Sequence, residues 1–167
     1  GAGLFDVSHM GLFRFTGPDV RSWLQGLATQ EVTAIAPGRC AYTHFLDEDG
    51  LLIDDMIFAV VSEEEILGVP NASMIPVMHD WFSRHLPADG SVRLEDLSEA
   101  TAILALQGPQ AKAVLTSVLG EAAHVGRFRW SPLEGAALGL EGFIQGTGYT
   151  GESGYEIMLS GDHAVTL

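Results

Sequence analysis

Cys40-Ala41-Tyr42-Thr43-His44-Phe45-Leu46, then Asp47-Glu48-Asp49-Gly50, then Leu51-Leu52-Ile53-Asp54-Asp55-Met56-Ile57-Phe58-Ala59-Val60-Val61 is the stretch that decides the fold. Residues that favour a pleated, half-buried surface dominate both long runs, and a polar turn ending in Gly separates them. The stretch therefore predicts two strands, Cys40 to Leu46 and Leu51 to Val61, joined as an antiparallel hairpin. Working outward, Glu63-Glu64-Glu65 reads as a solvated loop, and Glu65 to Val69 as a third strand. On the N-terminal side, Leu4 to Ser8 and Leu12 to Thr16 are short extended runs. Gly17-Pro18-Asp19 opens a helix there, with Val20, Trp23, Leu24 and Leu27 on one face.

On the C-terminal side, Asn71-Ala72-Ser73 leads into a helix reaching about His85, with Ser73 as its N-cap and Pro76 in its first turn. A second block follows. Thr101 to Leu106 is a buried strand, and a helix from Gln110 to Leu119 ends at Gly120. Phe128 to Trp130, Ala137 to Leu140, Phe143 to Gln145 and Gly154 to Ser160 are further strands, and Asp162-His163 begins another helix. Hairpins and irregular alternation of strand with helix predict an α+β fold with antiparallel or mixed sheets and flanking helices. The expected division is a subdomain over 1–98 packed on a second over 99–167.

Composition narrows the function classes. The chain has 167 residues and a formal net charge of −14, which argues against nucleic acid as the main partner because phosphate backbones require clustered Lys and Arg. No apolar run is long enough to cross a bilayer, no secretory signal is visible, and the single cysteine, Cys40, excludes an internal disulfide framework. A cytoplasmic protein without a membrane partner is expected. The six histidines lack metal-ligand spacing, so no metal is expected. Cys40 reads as a small core residue.

Three features remain as candidates for chemistry. In a strand, Asp54 shares a face with Leu52, Met56 and Phe58, and Asp55 with Ile53, Ile57 and Ala59. Both faces are otherwise apolar, so at least one carboxylate is expected to lose solvent, raising its pKa unless a partner compensates. The competing structural reading is a hairpin cap at Asp54 and a salt bridge at Asp55. The second feature is Gly146-Thr147-Gly148-Tyr149-Thr150-Gly151-Glu152-Ser153-Gly154. Its G-x-G-x-x-G letters match a dinucleotide signature, but Tyr155-Glu156-Ile157-Met158-Leu159 continues as a strand, so the helix that would receive a pyrophosphate is missing. The glycines then make a wide turn or a close approach of backbone to a flat ligand, and Glu156 is another acid within an apolar strand. The third is Asn71, which is a cap, a turn residue or a ligand-facing amide.

Taken in order along the chain, Gly3-Leu4-Phe5-Asp6-Val7-Ser8-His9-Met10-Gly11, Gly50 through Asp54-Asp55, Asn71-Ala72-Ser73, Ala105-Leu106-Gln107-Gly108-Pro109 and Thr147-Gly148-Tyr149-Thr150-Gly151-Glu152, followed by Gly154-Tyr155-Glu156, resemble the glycine-cleavage T-protein (aminomethyltransferase) family. The resemblance implies the N-terminal folate-binding part of that fold, with the family's C-terminal barrel region and a folate-side arginine lying outside the chain. It implies an enzyme that takes an aminomethyl group from the lipoyl arm of the H-protein, releases ammonia and forms methylenetetrahydrofolate. By position, Asp55 matches the catalytic aspartate. Tyr42, Asn71, Tyr149 and Glu156 match positions around the tetrahydrofolate, and Met10 lies in the motif beside it. Leu51 stands where the family commonly has Gly, and Val77-Met78 where it has Lys-Asp. These departures keep open a relative acting on another methylated or aminomethylated substrate, such as a dimethylglycine or sarcosine dehydrogenase-like enzyme or a demethylase; a non-enzymatic relative in iron–sulfur protein maturation is a separate alternative within the same fold.

Chemistry is consistent with these matches. A pterin offers adjacent N–H donors to a carboxylate such as Glu156, and Tyr42 and Tyr149 are suited to cover ring faces. A fixed carboxylate at Asp55 would stabilise positive charge developing on folate nitrogen. Both strand-borne acids are expected to meet a single planar heterocycle.

Overall fold

A computed structural model describes residues 1–133 and 140–167. It divides into two units: Met10–Glu99, and Gly1–His9 together with Ala100–Leu167.

The Met10–Glu99 unit is built on the expected hairpin. Strands β3 (Arg39–Leu46) and β4 (Leu52–Ser62) pair antiparallel. At the turn, Asp47 Oδ1 accepts from the backbone N–H of Asp49 (3.0 Å) and Leu51 (2.8 Å), and Gly50 takes φ +78°, which favours glycine. Strands β5 (Glu65–Pro70), β2 (Phe13–Thr16) and β6 (Arg93–Asp96) complete a sheet in the order β3-β4-β5-β2-β6. Helices α1 (Val20–Gln25) and α2 (Ile75–His85) bury Val20, Leu24, Met78 and Phe82 in a core with Phe13, Phe15, Phe45, Met56 and Phe58. Phe82 is central to it, with ring centroids of Phe15 at 4.9 Å and Phe45 at 5.0 Å. Losing such a side chain costs about 3–5 kcal/mol.

The start of α2 differs from expectation. Residues Ala72–Met74 form a three-ten turn, and the helix begins at Ile75 without a side-chain cap. Ser73 is therefore not an N-cap. The Met74 N–H donates to the Asn71 carbonyl (2.9 Å), so the chain enters the helix through this tighter turn, and Pro76 occupies the first turn, where no N–H is required.

The other unit has the sheet order β1-β7-β10-β9-β8, from β1 (Gly3–Asp6), β7 (Thr101–Gln107), β10 (Gly154–Ser160), β9 (Gly142–Gln145) and β8 (Trp130–Pro132). Both sheets have antiparallel ladders. Helix α3 (Ala111–Leu119) packs Ala111, Leu115 and Leu119 with Tyr155, Ile157 and Leu159. Gly120 closes it at φ +82°, and a short α4 (Gly161–Ala164) follows β10.

Two expectations change here. Gly1–His9 belongs with this unit instead of with 10–98, because β1 pairs with β7, Gly3 opposite Gln107. Phe128 is not in a strand, since its φ of +53° breaks extended geometry. Residues 137–139 of the expected Ala137–Leu140 strand lie outside the described residues.

Candidate functional site

The parity of β4 sorts its two acids. Asp54 shares the core-facing side with Met56 and Phe58 and is only 5% exposed, whereas Asp55 is half-buried on the opposite face. Asn71, just after β5, serves both. Its Nδ2 lies 2.7 Å from Asp54 Oδ1, 2.8 Å from Asp55 Oδ1 and 3.1 Å from the Asp55 carbonyl. An amide carries two N–H donors, so three acceptors compete for them. Asp54 Oδ2 is buried without a hydrogen-bond partner. Neither acid forms a salt bridge among the described residues, so the hairpin-cap and ion-pair readings give way to a carboxylate pair tied by one amide.

Tyr42 on β3 lies diagonally across from Asp55, opposite Ile57, and its hydroxyl donates to Asp55 Oδ2. That hydrogen bond holds the phenol above its ordinary pKa, with loss of solvent and the charges of Asp55 and Asp54 acting the same way. Tyr42, Asp54, Asp55 and Asn71 thus form one connected cluster. Met10 is half-buried in the bend before β2. Its neighbour Gly11 donates to the Pro70 carbonyl at 3.2 Å, which brings that segment alongside the residue preceding Asn71.

Glu156 belongs to the other unit. It sits within β10, opposite Ala105 and Gln145, and is 6% exposed. Its Oε2 accepts from Gln145 Nε2 (3.0 Å) and from the Thr147 hydroxyl. Its Oε1 has no hydrogen-bond partner among the described residues, and so retains acceptor capacity. Tyr149, on the glycine-rich loop, is 75% exposed.

That loop is organised by Gln107, to which the sequence reading gave no role. Gln107 is buried. Its Nε2 donates to the carbonyls of Thr147 and Tyr155 (both 3.2 Å), and its Oε1 accepts from the Thr150 hydroxyl (2.9 Å). A Cβ at Gly148 or Gly154 would overlap the Gln107 side chain. These two glycines therefore make room for a glutamine.

The family model described as the GCVT N-terminal domain matches residues 1–167. The chain belongs to that family. This GCVT N-terminal domain is 40% identical to an aminomethyltransferase of Bacillus subtilis (strain 168), over 99% of this chain and 45% of that protein. The crystal structure of glycine cleavage system aminomethyltransferase T from Bartonella henselae is similar at a TM-score of 0.88 and 30% identity, over 99% of this chain and 44% of that one. A heterotetrameric sarcosine oxidase from Corynebacterium sp. U-96, at a TM-score of 0.66 and 15% identity over 98% of this chain and 78% of that one, shares the fold. The chain spans less than half the length of the curated relatives it matches.

Within the domain, the buried polar residues Thr43, Asp54, Gln107, Gln145, Thr147 and Glu156 include partners missed from sequence. The available signal was a lone amide or hydroxyl inside or beside an apolar strand, which needs a buried partner once folded.

Proposed function

We propose that this GCVT N-terminal domain is the folate-binding part of an aminomethyltransferase of the glycine-cleavage type, acting in the cytoplasm. The complete enzyme takes the aminomethyl group from the lipoyl arm of the H-protein, releases ammonia and yields methylenetetrahydrofolate. The observation that carries the reading is Asp55, a half-buried carboxylate held by Asn71 Nδ2 at 2.8 Å and by the Tyr42 hydroxyl. A carboxylate fixed in advance stabilises positive charge on the reacting folate nitrogens without reorganising. Its work is electrostatic and orienting, and it does not attack the transferred carbon.

Glu156 suits the pterin. Tetrahydrofolate presents adjacent N–H donors, and Glu156 keeps Oε1 uncommitted while neutral donors steady Oε2. Tyr149 is exposed enough to lie against a ligand ring, Tyr42 flanks Asp55, and Met10 supplies an apolar contact. Within this chain the single cysteine, Cys40, is buried, which lends the iron–sulfur alternative no support.

The test uses the full-length enzyme. Asp55→Asn is expected to lower kcat by about 10²–10³-fold while tetrahydrofolate still binds, whereas Glu156→Ala acts mainly by abolishing tetrahydrofolate binding. Unchanged turnover in Asp55→Asn would reject the electrostatic role. Absence of tetrahydrofolate binding by the unsubstituted enzyme would reject the reading as a whole.

A further inference from the structure

The unit containing β7 and β10 holds a cavity of about 500 Å³ that neither Tyr149 nor Glu156 lines, and this volume is within the range of small-ligand sites. Bare backbone at Gly146, Gly148 and Gly154 forms one part of its wall, while Lys112, His124 and Arg127 supply basic side chains and Glu152 is the one acidic lining residue. This concentration runs against composition, because the chain has 8 Lys and Arg against 22 Asp and Glu. Arg14, Arg21 and Arg84 are each ion-paired, whereas Lys112 and Arg127, like Arg39, Arg93 and Arg129, have no acidic partner among the described residues.

Two of the three basic groups are held in place. The Arg127 guanidinium lies 5.6 Å from the Phe128 ring centroid. Phe128 adopts its left-handed backbone conformation while its N–H donates to the Gly146 carbonyl (2.9 Å), and such a conformation persists only where the surroundings fix it. His124 Nδ1 is 2.8 Å from the Tyr155 hydroxyl. With that hydroxyl donating, the ring proton sits on Nε2 as a further donor.

We propose that this cavity is a binding site for a small oxyanion, a carboxylate or phosphate group held by Lys112, Arg127 and His124 against the glycine backbone. Arg127 offers a planar fork of donors and Lys112 a mobile point charge. No residue of the folate reading is used, so the two proposals stand or fall separately.

The full chain would be titrated with inorganic phosphate and, separately, with glutarate at constant ionic strength, following the amides of residues 146–154 and the His124 ring by NMR. At least one anion is expected to give saturable shifts, weakened by about tenfold or more in Lys112→Gln/Arg127→Gln. Response to phosphate alone assigns a phosphorylated ligand, response to glutarate alone a carboxylated one, and response to both the shared oxyanion chemistry. The proposal is overturned if neither anion gives a saturable shift, or if the double variant responds like the unsubstituted chain. Should the double variant fail to fold, Arg127→Gln alone is judged by whether its affinity falls by at least about threefold.

Discussion

Asp55 on β4 and Glu156 on β10 are both acids flanked by apolar strand residues, and each takes one donor from an adjacent strand and one from just beyond a strand end, yet they differ in how many acceptors share those donors. Asp55 draws on two side chains, Tyr42 from the neighbouring strand and Asn71 from the strand end, and Asn71 must also serve Asp54. Glu156 draws on Gln145 from the adjacent strand and Thr147 from the loop just beyond it, and Gln107 secures that loop. One site has more acceptors than donors, leaving Asp54 Oδ2 unpaired. The other has two neutral donors, Gln145 and Thr147, both on Glu156 Oε2, and Oε1 is open among the described residues. A buried polar atom without a partner costs about 1–3 kcal/mol and marks where a fold has kept something other than maximal stability. The sharing of one amide among three acceptors thus distinguishes the cluster proposed for chemistry from the cluster proposed for recognition.

The largest stability effect expected from this contrast is at the shared amide. Asn71→Ala removes the donor to buried Asp54 Oδ1 and is expected to cost about 3 kcal/mol, read as a lower urea midpoint at unchanged slope. A cost below about 1 kcal/mol would mean that the acid pair does not depend on that amide.

Next comes the glutamine lock. Gln107→Ala is expected to cost about 2 kcal/mol, since two carbonyls and a hydroxyl lose a buried partner. Gly154→Ala should be destabilising in the native background but nearly neutral beside Gln107→Ala, because its added Cβ overlaps only the glutamine side chain among its nearest contacts. The double-mutant cycle should then show a coupling of about 1 kcal/mol. Additive costs would break the account of why that position is glycine.

The smallest effect is electrostatic. The hydrogen bond to Asp55 holds the Tyr42 phenol above its ordinary pKa, which is about 10. Its contribution to stability is therefore fully present below the unfolded value and disappears as pH rises through the raised folded value. In tyrosinate absorbance, Asp55→Asn should move the Tyr42 titration back towards the ordinary value. An unmoved titration would show that the hydrogen bond does not set it.

The hairpin and its pair of acids were legible because period-two alternation and the turn residues are local signals. Parity alone placed Asp54 and Asp55 on opposite faces, although it did not tell which face was the core. That Asn71 would serve both acids was not legible, because residues just after a strand usually begin the next element. Its carbonyl does begin the three-ten turn before α2, while its side chain turns back to β4. Gln107 was equally obscure. The glycine-rich loop reads from sequence as a wide turn or a close backbone approach to a flat ligand, whereas what lies against Gly148 and Gly154 is the side chain of Gln107, about forty residues earlier in the chain. The pairing of β1 with β7 had no local signature at all, since four residues of strand carry no record of their partner.

The position of β1 has a consequence for how the chain is made. As the polypeptide emerges during synthesis, β1 precedes its partner β7 by roughly a hundred residues, so its ladder with β7 can form only after all of Met10–Glu99 has been made. The later arrival of Ile103 then closes the gap, its carbonyl accepting from Val7 N–H (2.9 Å) and its N–H donating to the Ser8 hydroxyl (3.1 Å). The Met10–Glu99 unit lies between two sequence segments of another unit, so its folding can run ahead of the event that pairs β1 with β7.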